Sequence, residues 1–476
     1  MSKNKLKLTM SIIGMAFILF FRFIPAPEGL TVNSMEVIGI FIGIMLMWNF
    51  VGIDWPSFLC MAVLALYQIM KPAAIFTTGL GNATIAFLLF FFMMSHTLSQ
   101  VGFSRRLAIL CITNKVARKN PWMFVTMFLF GAMFLASFMS QTAALLIFLP
   151  IAEQIFSELQ YEKGDRTPQM LVLGLGIAVG IGSANTPLGH AIILIPLQLL
   201  STQYGISVNI VSYSIFGIVT GLVIFVLLML VYRLIYRPDL SKFENFDVKG
   251  LRDQLQPMSK QERISAFAFV AVIVVWILQS VLKDQIPYLA SLGNAVPVLI
   301  AIVILSVWEV DGKPVMDFRK SLSAGVPWTA LLFNAAVLVL SGALVLDNIG
   351  ISNFLISTVT PRVQNLSPMV FLLIISGLCI IATNFSSNTV CATVFFTIAA
   401  PIAAAMGTIN MSALASMIAA AASYAFATPP ATMPMAVVAG TGWVDVKDMF
   451  RYGGLIAIIS ILALSFIGYP IASMVF

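Results

Sequence analysis

Residues 131–152 read GAMFLASFMSQTAALLIFLPIA, and residues 378–403 read LCIIATNFSSNTVCATVFFTIAAPIA. Each sets a polar tripeptide, Ser140-Gln141-Thr142 or Ser387-Asn388-Thr389, inside otherwise apolar sequence. A later apolar segment then carries a Thr-Pro break, Asn185-Thr186-Pro187 after the first and Ala427-Thr428-Pro429-Pro430 after the second. The tripeptides stand 247 positions apart (140 to 387) and the Thr-Pro breaks 242 apart (186 to 428). A single Ser, Thr or Asn in a membrane helix usually just hydrogen-bonds to a neighbour. A duplicated polar, Pro-broken element at nearly matched separation is what holds a hydrophilic solute between two repeats of a transporter.

Composition sets the class. The chain is 60% hydrophobic and 9% charged, with a mean hydropathy of +1.00, far from the roughly one-quarter charge of soluble domains. Many stretches reach the roughly 20 residues needed to cross a bilayer core. The pattern predicts spanning helices near 8–24, 33–52, 56–70, 85–101, 169–203, 209–232, 264–282, 291–308, 327–346, 412–441 and 454–474. Segments 122–156 and 368–406, which carry the tripeptides, read as re-entrant hairpins. A turn at Ser-Gln-Thr leaves arms too short for two straight spans, and such irregular backbone survives at membrane depth only when buried in protein. The expected fold is therefore an all-α integral membrane protein of about eleven transmembrane helices plus two hairpins. The first apolar run is followed by Arg22-Phe23-Ile24 rather than a small-residue cleavage site, so it is expected to stay as a helix.

Charge orients the chain. With the Lys3, Lys5, Lys7 end in the cytoplasm, 22 of the 26 Lys and Arg fall inside; Arg22, Lys71, Lys283 and Arg362 fall outside. The basic loops 104–120, 157–168, 233–263, 311–320 and 445–451 then share the cytoplasmic face, as the positive-inside rule asks. A net charge of +7 distributed this way points to the lipid bilayer and not to nucleic acid. The hydrophilic stretch 237–263 joins repeat one, about 33–236, to repeat two, about 264–476, and is expected to carry a surface helix. An odd number of crossings separates the hairpins, which makes the repeats inverted in topology.

The 19 acidic residues lie in loops or at segment ends, with Glu36 and Glu153 nearest the interior. Intramembrane carboxylates mark proton and cation pathways, so their lack disfavours a proton-coupled cation antiporter. A site made of hydroxyls, amides and helix N-termini suits an anion, because those termini carry about half a positive charge and free N–H groups. The helices that follow the tripeptides and the Thr-Pro breaks supply four such ends, enough for two carboxylates. Catalytic signatures are missing: there is no HExxH, no GxSxG and no phosphate-cradling loop. Nor is there a selectivity-filter pattern. Cys60, Cys111, Cys379 and Cys391 have no paired spacing. No enzyme, cofactor or firm metal site is expected.

At its tripeptides and Thr-Pro loops the chain resembles the divalent anion/sodium symporter family, whose bacterial members are often called INDY homologues. Ser387-Asn388-Thr389 and Thr428-Pro429-Pro430 match the family motif, while Ser140-Gln141-Thr142 and Thr186-Pro187-Leu188 are variants of it. The resemblance implies a homodimer in the bacterial plasma membrane that carries C4 and C5 dicarboxylates by an elevator movement. It implies scaffold helices in 1–120 and 264–346, and transport-domain halves in 121–236 and 347–476, joined by the linker 237–263. Substrate would be held by Ser140, Gln141, Thr142, Asn185, Thr186, Pro187, Ser387, Asn388, Thr389, Thr428 and Pro429. Sodium-driven members of the family carry Thr-Pro-Pro-Asn in the broken helix. Here the loops read Thr186-Pro187-Leu188-Gly189-His190 and Thr428-Pro429-Pro430-Ala431-Thr432, and Gln141 stands where the motif has Asn. These departures favour dicarboxylate exchange over Na⁺-coupled symport, with His190 as a possible substitute for the cation's charge. The other histidine, His96, reads as a packing residue.

Overall fold

The computed structural model describes residues 3–245, 248–253 and 255–476. It is almost wholly helical; the strands among those residues are Glu309–Val310 and Lys313–Pro314, a small hairpin. Asp311 and Gly312 turn that hairpin at φ 53° and 75°, the left-handed backbone that an Asp-Gly pair supplies. Seven helices are long and apolar enough to cross a membrane among the described residues, or up to nine if each of two bent pairs counts as one span. Trp55–Leu66 and Ala295–Val307 run 12 and 13 residues, and the segment expected at 327–346 enters through a 65° bend after Phe318–Gly325. Two helices of ten residues or more stand where no span was expected: Phe103–Ile112 in the first basic loop, and Ile351–Val363 ahead of the second hairpin.

Both hairpins form, and they are built alike. Pro121–Ala136 and Gln141–Glu158 make the first, with Pro368–Thr383 and Asn388–Met406 making the second. Each opening arm has 16 residues, about 24 Å at 1.5 Å per residue, short of the roughly 30 Å hydrocarbon core. Each starts with Pro at its first position behind a capping side chain, Asn120 onto Met123 N–H and Ser367 onto Val370 N–H. Proline there gives up only an N–H that has no helical partner, and the cap satisfies another. Asn120 and Ser367 stand at the same 247-residue offset as the tripeptides.

The two Thr-Pro segments are broken as expected. Arg166–Ser183 stops, and the helix resumes through Ala191–Ile193 into Leu194–Tyr204; Met411–Ser423 stops and resumes at Met433–Gly440. Arg166–Ser183 packs against both arms of the first hairpin, and Met411–Ser423 against both arms of the second.

Basic loops 104–120, 157–168 and 233–263 touch one another, while 311–320 and 445–451 reach Gln100 and Gln169, which border them. Arg106 pairs with Glu262 at 2.5 Å and donates to Gln256 O at 2.8 Å. Thr167 Oγ1 donates to Asp239 O, Lys242 Nζ to Gln160 O, Lys163 Nζ to Thr441 O and Gln169 Nε2 to Asp448. Lys320 reaches Gln100 at 3.4 Å. The charge count required these loops to share a face. Glu36 is buried and neutralised by Arg22 at 2.6 Å, whereas Glu153 is exposed.

Candidate functional site

The first tripeptide begins the helix Gln141–Glu158, with Ser140 as its cap accepting from Ala143 N–H at 3.2 Å. That helix start lines a cavity of about 480 Å³, together with Pro187, His190 and Ala191 of the first broken loop and Thr389 of the second tripeptide. The facing wall carries Ser95 and His96 from Ala83–Gln100, Gly325, and Asn334 from Trp328–Leu344. No Asp, Glu, Lys or Arg lines the cavity among the described residues. Its polarity comes from hydroxyls, amides, two imidazoles and the starts of two helical segments, at Gln141 and Ala191.

Three buried polar atoms on this cavity have no hydrogen-bond partner among the described residues: Gln141 Oε1, Asn334 Oδ1 and His96 Nε2. Buried polar groups are nearly always satisfied, and a polar guest or water in this cavity would satisfy these three. The orientation of Asn334 is fixed, because its Nδ2 donates to Ala330 O at 2.8 Å. Sequence reasoning missed this wall. Its signal was present, a lone Asn334 and the run Ser95-His96 inside apolar helices.

His190 bridges the two repeats. Its Nδ1 lies 3.1 Å from Ser423 Oγ, whose hydroxyl donates to Ala419 O, and its Nε2 lies 3.4 Å from Gln141 Nε2. With the serine proton directed to Ala419 O, Nδ1 is the donor of that bond in a neutral ring, an assignment made from the hydrogen-bond network. Nε2 is then left to accept from the Gln141 amide.

Of the twelve candidate residues, Ser140, Gln141, Thr142, Pro187, His190 and Thr389 reach the cavity. Asn185, Thr186, Ser387, Asn388, Thr428 and Pro429 do not line it. Thr186 Oγ1 donates to the carbonyl of Ser137, and Thr428 Oγ1 donates to that of Asn384 at 2.5 Å. Ser137 and Asn384 each sit three residues before their tripeptide's serine, so both repeats make the same bond between broken helix and hairpin tip. Asn185 is buried behind the cavity. With the amide oriented to suit its neighbours, its oxygen accepts from Ser137 Oγ at 3.0 Å and its nitrogen donates to Ile181 O and Gly217 O at 3.1 Å. A Cβ at Gly221 would collide with the Asn185 amide, which explains a glycine in mid-helix there. Asn384 is the hub of the second repeat: Oδ1 accepts from Phe426 N–H and Ala427 N–H at 2.8 and 2.7 Å. Its Nδ2 donates to Ile380 O and Tyr424 O at 2.7 and 3.2 Å. Asn388 Oδ1 accepts from Thr383 Oγ1 at 2.8 Å, and the Ser387 N–H donates to Asn49 Oδ1 at 3.1 Å.

The family described as "Sodium:sulfate symporter transmembrane region" matches residues 5–475 of this chain. The chain belongs to the divalent anion/sodium symporter family. It is 24% identical over 462 residues to a sodium-dependent dicarboxylate transporter of Staphylococcus saprophyticus, covering 93% of this chain and 87% of that one. It is 25% identical over 479 residues to its namesake in Staphylococcus aureus strain USA300, covering 96% and 89%. An uncharacterised transporter of Haemophilus influenzae is 27% identical over 369 residues, 75% of each chain. Among solved structures, the YdaH transporter of Alcanivorax borkumensis superposes with a TM-score of 0.60 at 13% identity, over 92% of this chain and 98% of that one. MtrF of Neisseria gonorrhoeae gives 0.54 at 13% identity, over 98% and 94%. Those two share the fold. With the family, they make this chain an all-α, multi-pass membrane transporter.

Proposed function

We propose that the chain is a secondary active transporter of C4 and C5 dicarboxylates such as malate, succinate, fumarate and 2-oxoglutarate, working by exchange. The observation that carries the anion reading is the cavity without acidic residues into which one hairpin tip and the start of a broken half-helix converge. Ser140, Gln141, Thr142 and Thr389 hold carboxylate oxygens there. The remaining tripeptide and Thr-Pro residues hold the hairpins and broken helices in shape. A proton on Nε2 of His190, with the Gln141 amide turned to present its free oxygen, places a positive charge beside the anion without Na⁺. The missing Asn in both Thr-Pro loops supports the same reading.

A second reading, Na⁺-coupled symport, is favoured by the Staphylococcus relatives, which are sodium-dependent dicarboxylate transporters. We further assign the basic loops to the cytoplasmic face of a bacterial plasma membrane, with the N-terminus inside. The protein would be a homodimer whose hairpins and broken helices move as one elevator against 1–120 and 264–346. Uptake of labelled succinate, malate and 2-oxoglutarate into proteoliposomes tests the function. Accumulation without Na⁺ that needs internal dicarboxylate is the expected result, and failure to move any dicarboxylate in either regime rejects it.

A further inference from the structure

A second cavity, of about 320 Å³, meets the first at His96, which lines both. Gln100, Gln261, Lys313, Asp317 and Lys320 also line it, where basic loops 233–263 and 311–320 meet. Both lysines are exposed. Ion pairs among the described residues join Arg22 to Glu36 and Arg106 to Glu262, and neither lysine takes part in one. Lys320 Nζ has only the neutral Gln100 Oε1, at 3.4 Å. The opposing charge is Asp317, whose Oδ1 accepts from the backbone N–H of Lys320 at 3.0 Å. Two ammonium groups thus face one carboxylate.

His96 is held where the cavities meet. Its ring packs on Gly325, where an added Cβ would come within 2.6 Å of the His96 Cβ, so any side chain at 325 would displace the ring. Its Nε2 is buried and has no partner among the described residues. Basic loops at this face follow from membrane orientation alone. Lys313 and Lys320 differ from the others in lining a cavity that leads, past an unpartnered ring nitrogen, to the candidate substrate site.

We propose that this vestibule is a second anion site, which holds a small dicarboxylate on its way between the loop-face solution and the main cavity. Lys313 and Lys320 hold one carboxylate, and Nε2–H of His96 donates to the other and hands the anion towards Gln141. Low-dielectric walls focus the field of the two ammonium groups into the vestibule and raise the local anion concentration. Salt screens such exposed charges over about 8 Å at physiological ionic strength. The contribution must therefore depend on salt and act from one face only.

This proposal rests on the reading of the chain as a dicarboxylate transporter. The test uses the full-length protein in proteoliposomes sorted by orientation, with a membrane-impermeant maleimide reporting E162C, on an exposed basic loop away from the vestibule, in a background where Cys111, the native cysteine that is not buried, is replaced by Ala. Succinate is the probe, and apparent KM is measured separately from each face in low and high salt. In low salt the double variant K313Q/K320Q should raise the loop-face KM at least fivefold. The difference should close in high salt, and the KM from the opposite face should stay unchanged. His96→Leu should weaken the same face five- to tenfold, while His96→Gln, which keeps an N–H donor, should recover most of that loss. Equal effects on both faces, no salt dependence, or identical behaviour of the two His96 variants would each overturn the vestibule and leave the transporter reading intact. No succinate transport by the parent protein would overturn both.

Discussion

At the scale of single residues, polar side chains in this membrane protein divide into those that shape the backbone and those that meet the solute. Thr186 and Thr428 belong to the first group, since their hydroxyls are committed to the carbonyls of Ser137 and Asn384. Interhelical hydrogen bonds in membranes average only about 0.6 kcal/mol. Removing a donor from a buried carbonyl adds a desolvation penalty, for a total of about 1–3 kcal/mol. Thr428→Val should therefore lower thermal stability in detergent by that amount and leave the order of preference among dicarboxylates unchanged. Gln141 belongs to the second group. Gln141→Leu should weaken dicarboxylate binding about ten- to a hundredfold, the cost of one hydrogen bond to a charged group, with little change in melting temperature. Binding titrations and melting curves on both variants separate the two roles; interchanged results would reject the division. The tripeptides were legible because a polar run is conspicuous in apolar sequence. Which of their atoms face the cavity was not, because that depends on how helices from the two repeats meet.

Among the elements, the hairpin tips were readable from short arms and caps, and their docking partners were not. The second tip is fastened to the helix Val32–Phe50: Asn49 Oδ1 accepts from Ser386 Oγ at 2.6 Å and from Ser387 N–H at 3.1 Å. Thr84 donates to Gln198 at 2.5 Å, and Gln203 to Ser341 O at 3.3 Å, across the same division between proposed scaffold and transport elements. Nothing in the spacing of Asn49 announces this contact, since it joins residues more than three hundred positions apart. If hairpins and broken helices travel as one body, all three contacts must break in each cycle. A disulfide in N49C/S386C should then reduce transport to background, and reductant should restore it. Binding from one face should survive the cross-link. Undiminished exchange in the oxidised protein would show that the second tip stays on Val32–Phe50 throughout, which rejects the elevator.

For the whole molecule, charge was the most legible property. Counting Lys and Arg placed five basic loops on one face, and the structure joins three of them, 104–120, 157–168 and 233–263, through Arg106–Glu262, Thr167–Asp239 and Lys242–Gln160. Coupling is harder to read, because it depends on which loaded and empty forms can cross the membrane. An exchanger holds back its empty carrier, and moving two divalent anions in opposite directions transfers no net charge and needs no cation. A symporter instead requires Na⁺ to offset the dianion before movement. Here the positive partner would be His190, wedged between Gln141 and Ser423. Counterflow should therefore require dicarboxylate on both sides and continue when K⁺ or choline replaces Na⁺. If a protonated His190 supplies the charge, exchange is fastest with the ring charged and falls as pH rises through its titration, and His190→Gln should remove that pH step. Strong Na⁺ dependence, with uptake into vesicles that contain no dicarboxylate, would return the chain to symport. It would also move the charge from His190 to a cation beside the hairpin tips.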